Sequence, residues 1–218
     1  MFNFAPHSKN MAPEFNDKQI SILQVAEKLF AEKGFDATSI RHISKEAGIN
    51  IAMISYYFGS KVKLLEHLII FRVSDLKIQL ENLLKEDLSP LEKIDKLVAL
   101  YVARINKNKC IYQIVHFEIS SNKRTINFEV FNEVKKSNLQ SLEQIITEGQ
   151  EKGVFSKNVT VALIPPTILG TFFHFNMNRP FYREIFALNT DSDFDGFVSN
   201  QLTAHIQLTI KALLTNEK

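Results

Sequence analysis

Turn-forming residues are too scarce in this chain for a fold built of short strands. The sequence has only 7 Gly and 6 Pro among 218 residues, whereas a sandwich or barrel reverses direction every eight to twelve residues or so and draws on those residues to do it. Apolar side chains instead recur at spacings of three and four over long stretches, the period of helices with one buried face. The expectation is an all-α protein. Hydrophobic residues at 45%, charged residues at 23% and a formal net charge of +2 supply a core and exclude a disordered or strongly basic chain.

Several functional classes lose support at once. The single cysteine, Cys110, cannot pair within the chain, and the start "MFNFAPHSKN" lacks the basic, apolar and small-residue order of a signal peptide, so a cytoplasmic location is expected. Residues 159–177 approach the length of a membrane span. Pro165-Pro166 interrupts them, however, and Thr160, Thr167, Thr171, His174 and Asn176 are spread through them, which points to a buried helix and no membrane contact. The six histidines include no pair three or four apart, and with one cysteine there is no zinc spacing. No G-x-S-x-G elbow and no phosphate-cradling glycine loop is present. No metal, cofactor or catalytic residue is expected, and the chain does not read as an enzyme.

Three parts are legible. Residues 1–15 have no periodicity and read as a mobile tail. Residues 16–62 form a small helical head. Asn16 with Gln19 offers a capping box, Ile22, Leu23, Ala26, Leu29 and Phe30 make one stripe, and Gly34 ends the first helix. Thr38 or Ser39 caps a second, short helix with Ile40, Ile43 and Ala47 inward, Gly48 supplies a left-handed turn, and Asn50 starts a third whose Ile54 and Phe58 face the core. Residues 63–218 form a larger helical domain, with amphipathic segments at 61–85, 90–107, 109–121, 125–150, 160–178 and 197–215. The glycines of "TEGQEKGVF" end the fourth of these. Residues 179–196, with Pro180, Asn189, Asp191, Asp193 and Asp195, read as a long surface loop. Pro165-Pro166 either kinks a helix or begins one.

A helix, a short glycine-containing turn and a second helix describe the helix-turn-helix, whose second helix fits the DNA major groove. Any αα-hairpin shares that pattern, so the side chains decide. Thr38, Ser39, Ser55 and Tyr56 offer hydroxyls to phosphates, and Lys61 adds a positive charge in the first turn of a helix. Asn50, Ile51, Ala52 and Met53 can reach base edges or thymine methyls.

The same residues resemble the TetR-type bacterial transcriptional regulators. The family pattern stands here as Thr38, Ile40-Arg41, Ile43-Ser44, Ala47-Gly48-Ile49-Asn50, Tyr56-Tyr57-Phe58 and Ser60-Lys61, preceded by Phe30, Gly34 and Phe35. The match is specific over residues 20–65 and architectural beyond them. Ser44 stands where Ala is common, Asn50 where Ser or Thr is usual, and Ser55 where many members carry a phosphate-binding Tyr, which leaves Tyr56 or Tyr57 for that role. The resemblance implies an N-terminal three-helix helix-turn-helix domain, a helical domain for ligand binding and dimerisation, and release of a repressor from a palindromic operator by a small effector. By that resemblance, Thr38 and Lys61 hold the phosphate backbone while residues 50–55 read the groove.

In the larger domain, 18 Phe and no Trp suggest an apolar effector pocket among Tyr101, His116, Phe117, Phe131, Phe172 and His174, with scattered polar groups to orient the ligand. The last helix carries more apolar surface than one contact requires, so Leu202, Ile206 and Leu213 are expected at a homodimer interface. Two alternatives stand beside this reading: a DNA-binding regulator whose second domain serves only dimerisation or protein contact, and a helical enzyme or scaffold.

Overall fold

A computed structural model of the chain describes residues 15–121 and 126–215, and among these all regular structure is helical. In chain order the α-helices are α1 (Asp17–Lys33), α2 (Ile40–Glu46), α3 (Ile51–Phe58), α4 (Lys61–Lys85), α5 (Pro90–Lys107), α6 (Lys109–Ser121), α7 (Glu129–Glu151), α8 (Ile164–Met177), α9 (Arg179–Ile185), α10 (Asp191–Phe197) and α11 (Thr203–Thr215). The expected tail, apart from Phe15, and the expected helix start at Thr125 lie outside the described residues. The chain divides into two compact units, Met1–Ser74 with Cys110–Asn132 and Asp75–Lys109 with Glu133–Lys218. The expected boundary after residue 62 therefore does not coincide with this division.

The first unit is built around α1. Its Asn16–Gln19 capping box is formed, and Ile22, Leu23, Ala26, Leu29 and Phe30 are all buried. They meet Ile43 of α2, Ile54 and Phe58 of α3, and Leu64, Leu65, Leu68 and Ile69 of α4 in one cluster. Ile111, Ile114 and Val115 of α6 complete it, and Phe15 packs against it with its ring 5.7 Å from that of Phe71. Two carboxylates brace the cluster. Glu27 accepts both Nε and Nη2 of Arg72, and Glu66 accepts the Asn127 N–H at 2.8 Å and the Lys63 ammonium at 2.7 Å.

In the second unit, α5 packs on α11 and α8. Ile94, Leu97, Val98 and Ile105 of α5 are buried, as are Ile168, Phe172 and Phe175 of α8 and Ile206, Ile210 and Leu214 of α11. Polar ties run alongside. Lys211 pairs with Asp95 at 2.9 Å, Gln207 Nε2 donates to the Asp95 carbonyl, and Lys93 reaches Glu148 of α7 at 2.7 Å. The ammonium groups of Lys152 and Lys93 hold the Glu148 carboxyl below the usual carboxylate range.

Residues 179–196 are not the expected loop. Pro180 sits in the first turn of α9, where its missing N–H has no helical partner to lose. Thr190 and Asp193 form a reciprocal capping box that starts α10. The Thr190 backbone and hydroxyl hold the Asp193 carboxyl below its ordinary value, so the charged form is the one that caps. Proline and aspartate, residues that break a helix interior, here mark two helix starts. The Pro165-Pro166 pair does the same: a single 3-10 turn at Val161–Leu163 leads into α8, and the Val161 carbonyl accepts the Ile164 N–H, so the helix begins there and is not kinked.

Gly149 is not a helix end either, because α7 continues through it to Glu151 and the chain reverses at Gly153, φ +68°. The Phe155 ring folds back onto Gly149, where a Cβ would stand 2.0 Å from Cδ2. Most of a buried ring would have to move to admit it. Gly149→Ala is expected to cost about 1–3 kcal/mol by overpacking, seen as a lower urea midpoint at unchanged slope.

Candidate nucleic-acid interface

The turn between α2 and α3 is a Schellman motif. The Gly48 N–H donates to the Lys45 carbonyl and the Ile49 N–H to the Ser44 carbonyl at 3.0 Å, with Gly48 at φ +63°. Asn50 then caps α3 by accepting the Ala52 N–H at 2.9 Å. With Ile54 and Phe58 locked in the core, the opposite side of this eight-residue helix faces outward. Asn50, Ile51, Ala52, Ser55 and Tyr56 are exposed, Tyr56 at 82%, and Met53 is half-buried beside them. Tyr57 is half-buried against the core, its ring 5.3 Å from Tyr56, so Tyr56 is the phenol presented to solvent.

Ser39 is exposed and caps α2 by accepting the His42 N–H. Thr38 and Lys61 differ from the expectation that they offer polar groups outward. Thr38 is 1% exposed, and its single hydroxyl proton is shared between the Gly34 carbonyl at 2.8 Å and the Leu29 carbonyl at 3.1 Å. The Lys61 ammonium donates to the carbonyls of Phe35 and Thr38 at 2.9 and 2.8 Å and lies 4.2 Å from the Phe35 ring centroid. A cation in the first turn of a helix opposes the helix dipole, and these carbonyls supply the negative partial charge that compensates it. Sequence reasoning passed over Arg41 and Lys45, which are exposed on α2; their signal was a basic pair four apart on the outer face of a short capped helix.

The six expected effector residues are divided between the units. His116, Phe117 and Phe131 belong to the first, Tyr101, Phe172 and His174 to the second. Because Ile111, Ile114 and Val115 turn into the head core, His116 and Phe117 point outward on α6 and are exposed, while Phe131 packs half-buried against the same core. Tyr101 and Phe172 are buried, and His174 is exposed at the mouth of a cleft. At the expected dimer contact, Leu202 and Ile206 are 6% and 1% exposed and fill their own unit's core. They share a row with Val198, Ile210 and Leu214, which a π turn at Val198–Leu202 carries into α11. Leu213 lies off this row and is 53% exposed, as is Leu208 at 67%.

Lys61→Met removes two charge-assisted hydrogen bonds and leaves two carbonyls without that donor. A loss of about 1–3 kcal/mol in head stability is expected, measurable as a lower denaturation midpoint followed by circular dichroism.

Comparison with known proteins agrees with this geometry. Residues 22–68 match the family of bacterial regulatory proteins, tetR family, and residues 90–195 match the tetracyclin repressor-like C-terminal domain. The chain is 31% identical over 173 residues to the HTH-type transcriptional repressor NicS of Pseudomonas putida, covering 73% of this chain and 76% of that protein. It is 24% identical over 154 residues to the fatty acid metabolism regulator protein of Bacillus subtilis, covering 71% and 79%. Among solved structures, the fatty acid degradation regulator FadR from Bacillus halodurans superposes with a TM-score of 0.67 at 22% identity, over 93% of this chain and 97% of that one. FadR from Bacillus subtilis in complex with stearoyl-CoA gives 0.63 at 22% identity, over 86% and 96%. The helix-turn-helix head, its continuation into a second helical unit and these matches agree: the chain belongs to the TetR family of bacterial transcriptional regulators.

Proposed function

We propose that this regulator is a repressor that docks α3 in the major groove of a pseudo-palindromic operator as a homodimer and leaves it when a small, mostly apolar effector binds. The observation that carries the DNA reading is the outer face of α3. Asn50, Ile51, Ala52, Ser55 and Tyr56 project from a helix with no acidic residue, held by a glycine turn and two core residues. Amide and methyl groups suit base edges, and hydroxyls suit phosphates. Ser39, Arg41 and Lys45 at and after the start of α2 are the assigned phosphate contacts, with Tyr56 taking the phenol role and Met53 a neighbouring base contact. Thr38, Tyr57 and Lys61 act indirectly, by setting the position of α3.

Dimerisation is assigned to the exposed faces of α8 and α11. Helix α8 has no Asp, Glu, Lys or Arg, and α11 has only Lys211, which pairs with Asp95. Ala204, Leu208, Ala212 and Leu213 are exposed on α11, as are Leu163 just before α8 and Gly170 in its middle. A two-fold interface of uncharged and small side chains lets helices approach closely. Leu208→Glu is expected to give a monomer by sedimentation velocity with unchanged helix content, whereas Leu202→Glu and Ile206→Glu unfold the unit from within. The effector belongs to the second unit, and relatives that regulate fatty acid metabolism, one of them solved with stearoyl-CoA, support an apolar ligand.

The test is selection of genomic fragments by the purified protein, followed by anisotropy titration against the selected operator. A two-fold symmetric site is expected, with half-sites about 34 Å or a multiple of that apart. Arg41→Ala and Lys45→Ala should each make the salt slope shallower by about one unit, while Ile51→Ala should alter base preference at a fixed position. Lack of any selected sequence would overturn the regulator reading.

A further inference from the structure

Among the described residues, two α-helices run through the division between the compact units without a break. Helix α4 passes from the first unit into the second after Ser74, and α7 does so after Asn132. The remaining crossing, after Lys109, falls at the junction of α5 and α6. A head carried on one rigid helix can turn about it, whereas a head tied to two continuous helices has its direction set by both.

In the first unit a side chain of α4 holds the start of α7. Glu66, in the second turn of α4, is 7% exposed, and its carboxylate accepts the backbone N–H of Asn127 at 2.8 Å and the Lys63 ammonium at 2.7 Å. Asn127 in turn starts α7, its Oδ1 accepting the Glu129 N–H at 2.8 Å. Beside it Ile126 is buried, and Phe128 and Phe131 pack half-buried against the head cluster. Apolar contacts of this kind are non-directional and tolerate sliding. The hydrogen bond to Glu66 is directional, and a buried carboxylate is costly to leave without its donors. It therefore sets the register of the start of α7 on α4. Five residues before Glu66 on the same helix, Lys61 is bonded to the carbonyls of Phe35 and Thr38, the contact that sets the position of α3.

We infer that Glu66 is the positioning residue that fixes the direction in which each α3 is presented, and with it the half-site spacing that the dimer accepts, by pinning the start of α7 to α4. The inference rests on the reading of the chain as a dimeric operator-binding regulator and assigns a residue to the head geometry of that reading. With the tie broken, the head is guided by α4 and apolar contact alone, and operators of other spacings are tolerated.

The experiment is anisotropy titration of the full chain with the operator selected from genomic fragments and with the same operator carrying one extra base pair between its half-sites. The insertion moves the half-sites apart by about 3.4 Å and turns them by about 35°. The parent is expected to bind the lengthened operator more weakly. In Glu66→Ala that preference should shrink about tenfold, the effect of one hydrogen bond to a charged group. Glu66→Gln, whose amide oxygen still accepts the Asn127 N–H, should keep it, and the salt slope should be the same in all three because no phosphate contact is touched. A head that was merely destabilised would lose affinity for both operators alike. An unchanged preference in Glu66→Ala, an equal loss in Glu66→Gln, or a parent indifferent to the inserted base pair overturns the inference. Hydrogen exchange in the parent tests the tie without a substitution: if the tie favours operator binding, the selected operator must slow exchange of the Asn127 amide, and unchanged exchange overturns the inference. A selected operator whose spacing preference survives in Glu66→Ala removes this role and leaves the regulator; failure to select any operator removes both.

Discussion

The arrangement of the head depends on one ammonium group. Lys61 Nζ is bonded to the carbonyls of Phe35 and Thr38 and covers the Phe35 ring, while the Thr38 hydroxyl closes the same connection from inside through Leu29 and Gly34. The link joins the start of α4 to the segment between α1 and α2. Only Gly59 and Ser60 separate Lys61 from the end of α3, so the direction in which α3 presents Ile51 and Tyr56 follows from that clasp. A charge that could have met a phosphate is committed to holding α3 in place.

The two units solve opposite surface problems. Around α3 the exposed groups are hydroxyls, an amide and methyls, with Arg41 and Lys45 on the neighbouring helix, a set suited to a polyanion with readable edges. On α8, α9 and α11 the exposed large apolar groups are Met177, Phe181, Ile185, Leu208 and Leu213, and α8 and α11 carry only Lys211 as a charge, a set suited to apolar partners. A regulator needs both, because an effector can change operator affinity only through a difference in how it binds two arrangements of the heads.

Where sequence reasoning failed, a residue type had been given one meaning when geometry allowed another. Pro180 and the aspartates of 189–195 were read as loop formers, yet in the first turn of a helix proline loses nothing and Asp193 caps. Gly149 was read as a stop and is instead a gap left for Phe155. His116 and Phe117 were grouped with Phe172 and His174 by composition, but α6 turns its aliphatic side to the head. The errors at Pro180 and Asp193 missed local helix-start patterns, whereas those at Gly149, His116 and Phe117 concern which group beyond the next turn a side chain meets, information that local pattern does not carry.

What the sequence by itself determined follows from periodicity and local hydrogen bonding: an all-helical chain, the bounds of α4, α5 and α6, the Asn16 cap and a cap for α2 at Thr38 or Ser39, the Gly48 turn and the burial of Ile54 and Phe58. These depend on groups within about four residues of one another, so the order of residues is enough. Tertiary structure alone decided that Thr38 and Lys61 turn inward, that Leu202 and Ile206 belong to their own core, and that Tyr182, Phe175, Phe197 and Phe186 stack on one another. Those outcomes depend on contacts between residues up to dozens of positions apart, and close packing, which admits one arrangement of many that the pattern permits, selects among them.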